Sequence, residues 1–326
     1  MNHRDEILAV RAAELYYDEA KTQDEIGALL NVTRWKVGRL LAEAREQGII
    51  RIEIAHPRAR RLSLERELRD STGLTTAIVV PSGDDPDEVQ SRVAMAAADY
   101  LTGLRPVPRT LGVSWGRTLH EIAQNLRPGW AHRVDVVQLN GGVSVSRRSS
   151  SAADTAVTIA QKGGGSATLL PSPAILERAE TKRAIEGDRS VSRVLELGRA
   201  ASAYLFSAGL PSSQSVLVER GYLSSDEVAE LARKGAVGDV VGRFIDGDGN
   251  AVDAALEERT MGISLQQLRD AELSIAVTSG HRKLAVTRTV VTSGLCSVLV
   301  TDEENARHLL DGVTADPSRT KIAKER

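Results

Sequence analysis

The sequence predicts an α/β protein in two parts, an N-terminal winged helix-turn-helix followed by a mostly parallel α/β domain. Three observations carry this. Residues 22–47 hold two capped amphipathic helices separated by a two-residue turn, and 49–54 alternate as a strand should. From Thr75 onward, short apolar runs alternate with helical segments. The turns between them gather glycines and hydroxyl side chains.

In chain order, residues 7–18 predict a first helix with Ile7, Val10, Ala13 and Leu15 along one side. Thr22 and Glu25 are spaced as a capping box, and Ile26, Leu29 and Leu30 form the apolar face of the helix they start. Asn31 and Val32 make the turn. Thr33 caps a second helix from Arg34 to about Gln47, which buries Val37, Leu40, Leu41 and Ala44 and ends at Gly48. A connecting helix follows over 57–72. Strands are then expected at 76–80, 110–114, 134–139, 167–170, 203–207, 240–245, 273–277 and 297–300. Helices fall at 86–102, 117–126, 152–162 and in the 174–198 region. The expected division is 1–56 for the DNA-binding domain, 57–73 for a linker helix, 74–313 for the α/β domain and 314–326 for a mobile tail.

With 326 residues, 41% hydrophobic and 26% charged, the chain has the composition of a soluble globular protein with two domains. The net charge of −2 hides an asymmetry: residues 31–61 carry eight basic and three acidic side chains, a local +5 suited to phosphate neutralisation. Cys296 is the single cysteine, which fits a reducing cytoplasm. No secretory signal pattern or membrane-length apolar run is visible, and the six histidines form no ligand cluster, so neither metal nor cofactor is expected.

Two sets of residues can carry function. In a recognition helix the N-terminal side chains meet base edges, which calls for long donors. Thr33, Arg34, Trp35, Lys36 and Arg39 stand there, with Arg51 in the expected wing. In an open α/β sheet, ligands bind beyond the carboxyl ends of the strands. Ser114, Trp115, Gly116, Arg117 and Thr118 occupy one strand-to-helix turn, where backbone N–H groups and Arg117 suit a phosphate. Asn140, Gly141 and Gly142 follow the next strand. Asp239 and Arg243 flank the 240–245 run, and Lys283 lies just after Gly280. Gly163–Ser166 precedes a strand, at the wrong end for a ligand, and reads as a flexible connection.

Two other motifs are weaker. Residues 112–116 also fit G-x-S-x-G, the nucleophile elbow of hydrolases, with Asp246 or Asp270 and His281 as partners for Ser114, but no oxyanion motif precedes them. Residues 246–257 partly match a calcium loop, with Ala251 where glycine is required; a β-turn fits better.

The chain resembles the SorC family of sugar-binding transcriptional regulators. The resemblance is carried by ALLNVTRWKVGRLLAEAREQGIIRIEI (28–54), GVSWGRTL (112–119), VVQLNGG (136–142), GDVVGRFID (238–246) and LVTDE (299–303), in the family's order and spacing. It implies a winged helix-turn-helix joined to a sugar-phosphate-isomerase-like, Rossmann-type effector domain, with phosphorylated sugars or polyols as effectors. It also implies a homotetramer, a dimer of dimers. Ser114, Gly116, Arg117 and Thr118 would form the effector loop, with Asn140 and Gly141 opposite and Lys283 as a basic contact. Residues 199–202 (RAAS) and 206–209 (FSAG) depart from the family's Asp and Gly-Ile-Gly turn, and Trp35 is bulky for its position.

The expected function is a cytoplasmic regulator that binds double-stranded operator DNA under control of a small phosphorylated sugar or polyol, without membrane association and without catalytic residues. The alternative is a sugar-phosphate isomerase or hydrolase with an accessory DNA-binding domain.

Overall fold

The computed structural model describes residues 3–50, 56, 59–142 and 152–315. The chain separates into two compact units, Met1–His56 and Pro57–Arg326.

In the first unit, α1 spans His3–Ala13 and runs into a wide π-type turn, Glu14–Asp18. Helix α2 (Gln23–Leu30) and helix α3 (Arg34–Glu46) follow. The Thr22–Glu25 capping box is reciprocal, each partner accepting from the other's backbone. Asn31 closes α2 in the left-handed region (φ 54°), a conformation that asparagine tolerates. A Cβ on Gly27 would stand 2.8 Å from the Val32 carbonyl, so glycine permits the tight turn. Ile26, Val37 and Leu41 pack with Ala12 and Leu15, while Ala9, Leu40 and Ala44 form a second contact. Leu29, expected on the buried face, is exposed. Ile49 and Ile50 form a bend; the rest of the expected wing strand, Arg51 included, lies outside the described residues.

The second unit opens with α4 (Leu62–Thr72), β1 (Thr76–Val80), α5 (Pro86–Gly103), β2 (Thr110–Val113), α6 (Arg117–Asn125) and β3 (Asp135–Gln138). Then come α7 (Ala152–Lys162), β4 (Ala167–Thr168), α8 (Ala179–Glu186), α9 (Arg189–Arg199), β5 (Ala203–Phe206) and β6 (Ala208–Gly209). Next are α10 (Val216–Glu219), α11 (Ser225–Arg233), β7 (Gly238–Val240), β8 (Arg243–Ile245), α12 (Ala254–Glu257) and α13 (Leu265–Arg269). The chain closes with β9 (Ser274–Val277), α14 (Leu284–Thr292), β10 (Val298–Asp302) and α15 (Glu303–Ala315).

Seven strands form one parallel sheet in the order β1-β10-β9-β5-β2-β3-β4. The strand order reverses beside β2 and β5, and crevices that bind ligands open at such a point. Successive strand residues alternate between two cores. Ile78, Val113, Val136 and Leu205 pack with α5, α6 and α7. Val79, Tyr204, Phe206 and Leu299 pack with α4, α14 and α15. Helix α4 therefore belongs to this unit's core. Its Leu68 is fully buried, and its buried Glu65 accepts from the Val79 amide and, bidentately, from Arg60.

Two sequence expectations change here. The 240–245 run is not one strand of the parallel sheet but an antiparallel hairpin, β7–β8, in a separate three-stranded sheet with β6. Val241 (φ 48°) and Gly242 (φ 84°) turn the chain between them, the paired positive φ of a tight hairpin. Gly163–Ser166 is not a flexible connection either. Cβ atoms on Gly163 or Gly165 would collide with Val134, so these glycines let one chain segment lie directly on another. No described helix is long and apolar enough to cross a membrane.

Candidate functional site

The carboxyl ends of β2, β3 and β9 bring most of the expected effector residues to one end of the sheet. Val113 pairs with Gln138 across β2 and β3, which sets Ser114 beside Leu139 and Asn140. Gly116 takes φ 143° and ψ 163°, a conformation open essentially only to glycine, and starts α6 without a side-chain cap. The first N–H groups of α6 are therefore left for an outside acceptor. Ser114 and Thr118 are buried beside this turn. Arg117 is 76% exposed, with Asp87 3.9 Å away as a loose partner.

Asn140 lies beside this turn, after β3. It is 1% exposed, yet among the described residues neither its amide oxygen nor its amide nitrogen has a hydrogen-bond partner. An unmet polar group in a packed interior costs about 1–3 kcal/mol. The backbone around it is fixed on every side. The Asn140 carbonyl accepts from Gln138 Nε2 (2.7 Å), Trp115 Nε1 donates to the Gly141 carbonyl (2.9 Å) and the Tyr222 hydroxyl donates to that of Gly142 (2.9 Å). A Cβ on Gly141 would run into the Pro173 carbonyl. Trp115, Gly141 and Gly142 thus frame the site, and Trp115 points its one donor at the backbone.

Asp239 and Lys283 supply the charge. Asp239 lies buried against the Gly209 backbone, where any side chain would strike its carboxylate. Burial pushes its carboxyl up to about 6, opposed by Lys283 and by the Gly242 amide. Burial likewise pushes the Lys283 ammonium down to about 8; Asp239 resists the shift and Arg117 adds to it. Asp239 and Lys283 are therefore near enough to affect each other's protonation, and Arg117 is near enough to affect that of Lys283.

Arg243 is placed differently from its expected ligand-facing role. It is 2% exposed and donates to Glu257 (2.8 Å) and to the carbonyls of Val241, Thr260 and Gly262. Gly262 bridges to Asn140, so Arg243 braces the strip on which Asn140 rests. Of the two sequence departures, Ser202 lies at the amino end of β5, away from the site, while Ser207 lies at its carboxyl end.

The hydrolase partners are committed elsewhere. Asp246 accepts from the amides of Asp248 and Asn250, which is the expected β-turn. Asp270 accepts from Gln266, and His281 pairs with Glu304 at 2.6 Å. Among the described residues, no group of three or more His, Cys, Asp or Glu is arranged to hold a metal.

On α3, the Thr33 hydroxyl accepts from the Lys36 amide at 3.2 Å. Arg34 and Arg39 reach Asp24 and Glu43 at 3.5 Å, both on the surface. Lys36 instead binds Asp5 of α1 at 2.5 Å and is mostly covered. Trp35 is 88% exposed. Gln23 joins Arg34, Trp35, Gly38 and Arg39 around a shallow depression. The sequence reading missed Gln23, and it missed Gln138 and Tyr222 as supports of the Asn140 loop. Gln138 carried a signal: it is a polar residue between the apolar Val137 and Leu139 at the carboxyl end of β3.

Comparison with known proteins agrees with this architecture. Residues 56–311 match the model of a sugar-binding domain family. The chain is 36% identical over 313 residues to the deoxyribonucleoside regulator of Bacillus subtilis, covering 95% of this chain and 99% of that one. It is 28% identical to the erythritol catabolism regulatory protein EryD of Brucella abortus, covering 95% and 98%. The crystal structure of the full-length sorbitol operon regulator SorC from Klebsiella pneumoniae superposes with a TM-score of 0.71 at 27% identity, covering 95% and 99%. The likeness runs the full length of these regulators, so the chain belongs to the SorC family of sugar-binding transcriptional regulators and is a regulator rather than an enzyme.

Proposed function

We propose that the chain binds double-stranded operator DNA through α3, and that a small phosphorylated sugar or polyol seated at the carboxyl ends of β2, β3 and β9 controls that binding. The observation that carries the effector half is Asn140, a buried amide with both atoms unpartnered. A polyhydroxylated ligand offers the donor and acceptor it lacks. The open N-terminus of α6, Arg117 and Lys283 suit a phosphate, and the Asp239 carboxylate suits a hydroxyl. The ligand acts by binding one of two protein states more tightly, which shifts their populations. The relatives' names, which cite sorbitol, erythritol and deoxyribonucleosides, favour a sugar or polyol. Operation in the cytoplasm as a homotetramer completes the reading.

The test is a thermal-shift screen of the full chain against sugars, polyols and their phosphates, followed by DNA titrations with each hit. A ligand that binds only the folded state raises the melting temperature. Hits that change DNA affinity and are lost in Asn140→Ala support the proposal. A panel with no hit, or hits indifferent to Asn140→Ala, overturns the effector site. Light scattering of the purified chain tests the tetramer.

A further inference from the structure

We propose that Trp35 determines operator specificity by reading the C5-methyl group of a thymine in the major groove. The inference rests on the proposal that α3 binds DNA. A single exposed apolar residue needs no explanation on its own, but the setting of Trp35 is specific. Its indole is 88% exposed, so it does not pack within its unit. It is the second residue of a 13-residue helix whose first turn holds no acidic side chain. Arg34 and Arg39 flank it, each in a surface ion pair of the kind that is readily exchanged for a phosphate. Such a cationic border fits a polyanion.

One turn further along the same face stands Gly38. Glycine inside a helix is destabilising by about 1 kcal/mol relative to alanine. Here it leaves the α3 backbone bare and makes room for Gln23, whose amide oxygen would lie 3.3 Å from an added Cβ. The surface therefore combines a projecting indole with a recess lined by donors. Bases present donors and acceptors in the major groove, and the one apolar group they offer there is the thymine methyl.

The experiment uses the full chain. Binding sites are selected from a random duplex library, and each thymine of the selected site is then replaced by deoxyuridine, which lacks only the methyl. Burial of one such carbon corresponds to roughly a 3- to 5-fold change in affinity. The wild type should lose that factor at one thymine per half-site. W35A should bind the unmodified site more weakly and show no further loss at that thymine. A wild type indifferent to every substitution, or a W35A protein that keeps the same sensitivity, overturns the inference while leaving DNA binding intact. Failure to select any sequence overturns DNA binding by α3 and this inference with it. Trp35 is outside the core, so circular dichroism of W35A should match the wild type.

Discussion

The two candidate binding surfaces handle polar groups in opposite ways. On α3, Arg34 and Arg39 are out in solvent and held by loose ion pairs to Asp24 and Glu43. At the carboxyl end of the parallel sheet, the polar groups are buried: Asn140 is unpartnered, and Asp239 and Lys283 are both pushed toward neutrality. Exposed pairs contribute little and exchange easily, which suits a long polyanion approached from solvent. Buried, unsatisfied groups hold free energy that a small ligand of matching shape can recover. The same contrast divides the arginines. Arg243 holds one backbone arrangement, whereas Arg34, Arg39 and Arg117 remain available.

The largest expected effect tests that division. Arg243→Ala removes the partner of Glu257 and of three carbonyls. Breaking a buried pair by removing one member is strongly destabilising, and because Glu257 keeps some solvent contact the expected loss is about 3 kcal/mol. Urea denaturation followed by circular dichroism measures it. The variant should also lose ligand response, because the Gly262 strip beside Asn140 is no longer braced. Normal stability with a selectively lost response would return Arg243 to the ligand-contacting set.

Lys283→Met is expected to leave the fold in place and weaken a phosphorylated ligand by about 10- to 100-fold, the equivalent of one charge-assisted hydrogen bond. The pH dependence sharpens this. The Lys283 ammonium is lowered from 10.5 to about 8. Its neutral form contributes stability fully above 10.5, and that contribution is lost as pH falls through about 8. Asp239 is raised from 3.8 to about 6. Its neutral form contributes fully below 3.8, and that contribution is lost as pH rises through about 6. Between about pH 6 and 8 both groups are charged, and the ligand-free site is under its greatest strain. A phosphate keeps its charge above about pH 7. Its affinity should therefore fall as pH rises from 7 to 9 while Lys283 deprotonates. Calorimetric titrations across that range should show the slope in the wild type and none in Lys283→Met; a slope that survives assigns the effect to another group.

Much of this was legible in the sequence, and the failures have physical causes. The capping box of α2, the Thr33 cap of α3 and the 3.6-residue periodicity of both helices are local, and so is the strand–turn–helix rhythm around Ser114–Thr118. Periodicity could not reveal the hairpin in 240–245. Val241 adopts a positive φ that β-branched residues avoid, and no Asn-Gly or Asp-Gly pair marks the turn. The Gly163–Ser166 run read as flexible because only the packed structure shows Val134 filling the space a side chain would need. Arg243 could not be assigned from sequence either, since its partners Glu257, Thr260 and Gly262 lie 14 to 19 residues away. Asn140 stands out in the sequence because its position after a strand is a local signal, but its unpartnered state is a property of the fold.

On α3 the expected effects are smaller and they separate the basic residues. Arg34→Ala and Arg39→Ala should each weaken operator binding by about 10-fold, with the melting temperature unchanged. If the contact is to a phosphate, the salt dependence of binding should become shallower by about one ion per variant. Lys36→Ala should do the reverse. Its ammonium is held by Asp5 across the α1–α3 contact, and Lys36 in turn keeps the Asp5 carboxyl below the ordinary carboxylate range. A carboxylate with a lowered pKa contributes stability above its unfolded value of 3.8, and that contribution is lost as pH falls through its folded value. Lys36→Ala should therefore slightly lower the melting temperature at neutral pH, and the difference from wild type should vanish in acid. Operator affinity should change less than in either arginine variant. A Lys36→Ala protein with wild-type stability and a 10-fold loss of operator affinity would show that the Asp5 pair opens on DNA, placing Lys36 among the available cations rather than the committed ones.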